Sequence, residues 1–150
     1  MNEVFGGHRY WLGGVLLASL VTLPALAQSS DLVVVVSSAS KAPPKISGDE
    51  LSAIFMGTAK AFGNGERAVP IDQKAGTPAY AGFYQKAAGK TESQMKAYWS
   101  RIMFTGKGQP PQEGGDGAAV KKLISANPNM VGYIEASLVD ASVRVIADVK

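Results

Sequence analysis

Gly76-Thr77-Pro78 is the stretch of this sequence best equipped to hold a ligand. Glycine lets the backbone come close to a bound group, threonine offers a hydroxyl, and proline suits the first position of a helix. Free amides at a helix start attract anions. Lys74, just upstream, can add a cation. A second set, Ser37 and Ser38, follows the run Leu32-Val-Val-Val-Val36. Ligands of open α/β sheets gather at the carboxyl ends of strands, so these serines are expected to face the same cleft as Thr77. The same residues also read as a helix cap, a turn glycine, a solvated charge and ordinary loop serines.

Catalysis has fewer means here. The chain contains no Cys, and its single His is His8. Beyond that position there is no thiolate nucleophile, no thiolate metal site, no His-based triad and no His-ligated zinc. An acid–base pair of Asp72 and Glu135 would need a geometry that spacing does not supply. The chain is therefore read as non-enzymatic, without metal or cofactor. A His-free hydrolase is the weakest of the readings.

The elements that must position these residues follow from local signals. Leu32 to Val36 is β-branched throughout its last four residues and reads as a strand buried on both faces. Pro43-Pro44 bars a helix after it. Ser47 and Glu50 form a capping box, with Ile46 and Leu51 as its hydrophobic staple. Leu51, Ile54 and Phe55 share a face, and Gly57 stops that helix. Ala68 to Asp72 reads as a short strand. Thr77 caps the next helix, whose stripe is Tyr80, Phe83, Tyr84 and Ala87, and Gly89 ends it. Thr91 and Gln94 make another capping box ahead of Met95, Tyr98, Trp99 and Ile102, a stripe that reads as core packing. Thr105 to Gly117 is rich in Gly, Pro and Gln and reads as loop. Asp116 caps a helix with Val120, Leu123 and Ile124 inward, stopped by Pro128. Met130 to Ile134 and Ser142 to Ala147 read as strands. Strands alternating with about four helices predict a three-layer α/β/α domain on a mixed sheet.

Residues 1–27 are set apart. Trp11 to Leu23 is mostly apolar but short for a membrane span, and Ala25-Leu26-Ala27 fits a signal-peptidase site. The sequence predicts a cleaved signal peptide over 1–27, a start at Gln28, one domain over 28–150 and a periplasmic location. No Cys follows the apolar run, so no lipoprotein anchor is expected. The net charge of +3 suits an anionic ligand. Lys121-Lys122 is the only adjacent basic pair after the leader, too little for a nucleic-acid surface.

A wider layout joins these pieces. Leu51-Ser-Ala-Ile54-Phe55 runs into Met56-Gly57, and Phe62-Gly63-Asn64-Gly65-Glu66 follows as a turn. Then come Ala68 to Asp72, Gly76-Thr77-Pro78, Phe104-Thr-Gly106, Asn127-Pro128 and Val131-Gly132-Tyr133-Ile134-Glu135. Residues 33–138 in this arrangement resemble the second lobe of the phosphate-binding proteins that serve ABC transporters. The resemblance implies a single lobe of the type II periplasmic binding protein fold. It also implies a small anion such as phosphate as ligand, and a transporter or envelope protein as partner.

In that family a loop Arg-x-x-x-Ser-Gly-Thr contacts the oxyanion. Here the matching residues are Ile71 to Thr77, so Gly76 and Thr77 carry over while Ile71 and Ala75 stand in place of the Arg and Ser. Asp72 adds a charge of the wrong sign. A charge-assisted hydrogen bond is worth about 1.5–3 kcal/mol. Losing the Arg, the Ser and an opposing lobe removes well over about 5 kcal/mol, which at tenfold per 1.4 kcal/mol makes phosphate binding weak. The alternative reading is an interaction module of the cell envelope, docking on a partner or pairing weakly with its own copy through the face that relatives cover with a first lobe.

Overall fold

The computed structural model describes residues 31–150. The expected signal peptide and the start at Gln28 lie outside the described residues. Five strands form one sheet: β1 (Leu32–Ser37), β2 (Val69–Asp72), β3 (Gln112–Glu113), β4 (Met130–Glu135) and β5 (Val143–Asp148). Four helices accompany them: α1 (Gly48–Phe55), α2 (Pro78–Ala88), α3 (Glu92–Phe104) and α4 (Gly117–Ala126). Among the described residues, no helix is long and apolar enough to cross a membrane.

The helices begin where side chains can close their first turns. Ser47, Thr77, Thr91 and Asp116 each accept a backbone N–H from the third residue onward. Each such cap contributes about 1 kcal/mol. Thr91 and Gln94 complete their reciprocal box. The Ser47 box is only half made, which corrects the sequence expectation. The Glu50 carboxylate instead accepts the amide of Gly63 at 2.6 Å. The Phe62–Glu66 turn folds back towards α1 and offers a donor there, and a bond to an ionised acceptor is the stronger one.

The strand order is β3-β2-β4-β1-β5. β2 runs parallel to both β3 and β4, whereas β1 is antiparallel to β4 and β5. β3 lies within the stretch expected to be loop. It has only two residues because Pro110 and Pro111, just before it, have no amide to give a ladder. It pairs with Ile71 and Asp72 alone, leaving the edge of β2 at Val69 and Pro70 free of a neighbouring strand.

Alternation along β1 sorts the core into two layers. Leu32, Val34 and Val36 join α1, α2 and α3, while Val33 and Val35 join α4. The arrangement is the three-layer α/β/α sandwich read from the sequence. On the larger side, Phe83 stacks on Tyr133 with centroids 3.8 Å apart, and Phe55 meets Phe83 edge-on at 4.7 Å. Burying such side chains contributes about 1.5–3 kcal/mol each. On the smaller side, Gly132 lets α4 lie directly on β4. A Cβ there would stand 2.6 Å from Cδ1 of Ile124 and 2.9 Å from Cγ1 of Val120. The glycine of the Val-Gly-Tyr-Ile-Glu run is thus a packing requirement of α4.

Candidate functional site

The carboxyl ends of β2 and β4 lie at one end of the sheet, because these strands are parallel. Two loops lead from there into helices: Gln73–Thr77 before α2 and Gly114–Asp116 before α4. They are tied together. The Lys74 amide donates to the Gly115 carbonyl at 2.8 Å, and the Gly114 amide donates to the Asp72 carbonyl at 2.8 Å. Both helix starts therefore sit side by side, held by β2.

Gly76 and Thr77 stand at the turn into α2. Gly76 takes a left-handed φ of 83°, which favours glycine. The Thr77 hydroxyl accepts from the Tyr80 amide at 3.3 Å and donates to the Lys74 carbonyl at 2.7 Å, so both of its functions are engaged. Lys74 is exposed and in no ion pair among the described residues. The amides of Gly76, Thr77 and Ala79 have no hydrogen-bond partner among the described residues and form the donor set left open at this end.

Ser37 and Ser38 do not join them. β1 runs antiparallel to β4, so its carboxyl end emerges beside Val131, at the opposite end of the sheet from Asp72. The Ser37 hydroxyl is buried, accepts the Ala39 amide at 3.2 Å and donates to the Ser125 carbonyl at 3.3 Å. Ser38 is exposed in the next turn. The expectation of one cleft shared with Thr77 fails because it assumed a parallel β1. Arg144 holds the loop after Ser38, donating to the carbonyls of Ser40, Ala42 and Pro43.

Carboxylates lie near both helix starts. Asp72 is buried under the loop and accepts from the Tyr84 hydroxyl at 3.0 and 2.9 Å and from the Tyr133 hydroxyl at 3.2 Å. Tyr133 in turn accepts the Gln73 amide at 3.2 Å, and the Gln73 side chain donates to the Tyr133 carbonyl. Burial pushes the Asp72 carboxyl up to about 7; the two hydroxyls oppose this, and the charge of Glu113 adds to it. Burial and then the Asp72 charge push Tyr84 and Tyr133 far above the usual phenol range, so both remain donors. Tyr80 is raised to about 12 by burial, then by Asp72, Glu92 and Glu113. Glu113 accepts the Ala75 amide at 3.4 Å, Asp116 caps α4, and the Glu135 carboxylate lies against Gly117 at the start of α4. One Glu135 oxygen is buried without a hydrogen-bond partner. The start of α4 is thus capped by a carboxylate, whereas at the start of α2 a carboxylate reaches only the Ala75 amide.

Sequence reading missed the Asp72–Tyr84–Tyr133–Gln73 cluster. The signal available was the choice of Tyr over Phe within two apolar stretches, since a buried phenol needs a partner. Ile71, set where a relative's Arg would stand, is fully buried against α4 and points away from the open amides.

No protein-family model matches the sequence, and no curated protein sequence matches it either. Solved structures do match the fold. A protein of Clostridium perfringens, named as a phosphate ABC transporter substrate-binding protein and solved with bound phosphate, is similar over 77% of this chain and 44% of its own, with TM-score 0.62 and 17% identity. An ABC-type phosphate transport receptor of Vibrio cholerae matches 80% of this chain and 48% of its own, with TM-score 0.60 and 21% identity. PstS of Borrelia burgdorferi matches 78% and 46%, with TM-score 0.57 and 15% identity. The likeness is one of fold, and the chain spans less than half the length of each.

Proposed function

We propose that this chain is an exported solute-binding lobe of the phosphate-receptor type, non-enzymatic, holding a small oxyanion only weakly unless a second wall closes over it. The observation that carries the reading is the pair of helix starts locked side by side, with the Gly76, Thr77 and Ala79 amides open. The three solved relatives, each named for phosphate or carrying PstS as its name, support the same role. Glu113, on the Ala75 amide, and Glu92, beside Gly76, support weak affinity, since an incoming anion meets like charge. A good site buries about 70–90% of its ligand, and one lobe offers one wall. The second wall is then a transporter component, an envelope protein or another copy of this chain.

The test is a phosphate titration followed by amide NMR. The expected result is millimolar or weaker binding, with the largest shifts at Gly76, Thr77 and Ala79. Low-micromolar binding by the monomer, or shifts confined to residues remote from α2, would overturn the reading. The leader is tested by the mass of the exported protein, expected to begin at Gln28.

A further inference from the structure

A cleft of about 600 Å³ opens beside the beginnings of β2 and β3, away from the Asp72 end. Tyr98, Trp99, Ile102, Pro70, Pro110 and Pro111 supply its apolar walls. Lys60 and Lys107 are the charged residues that line it, and no Asp or Glu does. Neither lysine is in an ion pair among the described residues. The walls are fixed locally. The Tyr98 hydroxyl donates to the Met56 carbonyl at 2.7 Å, and the Lys107 amide donates to the Ile102 carbonyl at 3.1 Å. Trp99 is only 5% exposed, yet its indole N–H has no hydrogen-bond partner among the described residues. A buried indole N–H ordinarily finds one.

These features select a class of ligand. Pockets for small molecules run from about 300 to 1,000 Å³, mostly apolar with a few polar groups, and this cleft fits that range. Inorganic phosphate would leave the apolar walls unused. A cation would meet two lysines. We propose that the cleft binds a small amphipathic organic anion, an aryl carboxylate whose ring packs on Trp99 and the prolines and whose carboxylate pairs with Lys60 and Lys107. This site is separate from the oxyanion loops and stands or falls independently of them.

The full chain can be tested with 1-naphthylacetate as probe. The controls are 1-naphthylmethylamine, with the same ring and opposite charge, and inorganic phosphate. Calorimetry gives affinity, and the Trp99 indole resonance, identified with Trp99→Phe, gives the place. Saturable binding of naphthylacetate that moves this resonance is expected. Its affinity should fall at least about tenfold in Lys60→Glu/Lys107→Glu, where two attractive charges become repulsive. The amine should bind the parent protein weakly and gain in that variant. Both lysines are exposed, so the fold should persist. Should the double Glu variant unfold, Lys60→Ala/Lys107→Ala gives the same reading with a smaller loss. Absent binding of naphthylacetate, equal binding of the amine, or an affinity indifferent to the lysine changes would each overturn the proposal.

Discussion

The Asp72 end and the Trp99 cleft leave different kinds of polar group open. Around Asp72 the buried side-chain donors are engaged by acceptors of the protein itself, those of Tyr84, Tyr133 and Gln73, as are the Thr77 hydroxyl and the amides of Lys74 and Ala75. Beside Trp99 two lysines and one indole N–H stand without partners, and no carboxylate lines the walls. What stays open differs in kind. At the first region it is the backbone amides of Gly76, Thr77 and Ala79 and the exposed Lys74. At the second it is the amino groups of Lys60 and Lys107, above a buried indole N–H.

The largest test of this contrast is Ile71→Arg, which would supply the charge that the resemblance implies at this position if β2 presented it to the open amides. It faces α4 instead, fully buried. An unpaired buried charge costs several kcal/mol after relaxation, a large part of a domain's total of about 5–15 kcal/mol. The variant should be largely unfolded by circular dichroism at 25 °C. A folded variant with improved phosphate affinity would reverse the assignment of that strand face.

Asp72 gives the next effect, and its sign is unusual for a carboxylate. Its folded pKa of about 7 lies above the ordinary 3.8, so the folded state keeps a proton that the unfolded state has released. Stability is then highest near pH 4 and declines as pH rises towards 7, by up to about 4 kcal/mol. Asp72→Asn should flatten this slope, and Tyr84→Phe, by removing a donor to the charged form, should steepen it. Urea unfolding at several pH values from 4 to 8 measures both. A wild-type curve that rises across this range would contradict the buried, weakly compensated carboxyl.

The smallest effect belongs to the cleft. Lys60→Ala and Lys107→Ala should each change stability by less than about 0.5 kcal/mol, since neither exposed side chain is in an ion pair among the described residues. Thermal unfolding checks this. A larger loss would mean the lysines hold the walls together, erasing the difference between the two regions.

The parts of this molecule that the sequence discloses are those decided within a few residues. Thr77, Thr91 and Asp116 announce their helices because a cap needs only its own first turn. The inward stripes at Leu51 and Val120 follow from spacing alone. The direction of β1 does not, because it depends on partners far along the chain, and with it went the placement of Ser37 and Ser38. The partners of Asp72 are hidden for the same reason: Tyr133, one of its two phenols, arrives only with β4. Trp99 reads as core from its spacing, and it is core; the missing partner of its N–H is visible only in three dimensions.

β1 also bears on how the chain reaches this state. Both of its neighbours, β4 and β5, lie about a hundred residues downstream, an arrangement of high contact order that slows folding. Until they form, a run of four valines has no ladder to join. Such a segment, β-prone and uncharged, is an aggregation hazard while exposed. Among the described strands the first in the chain thus waits for the last two before its ladders can close.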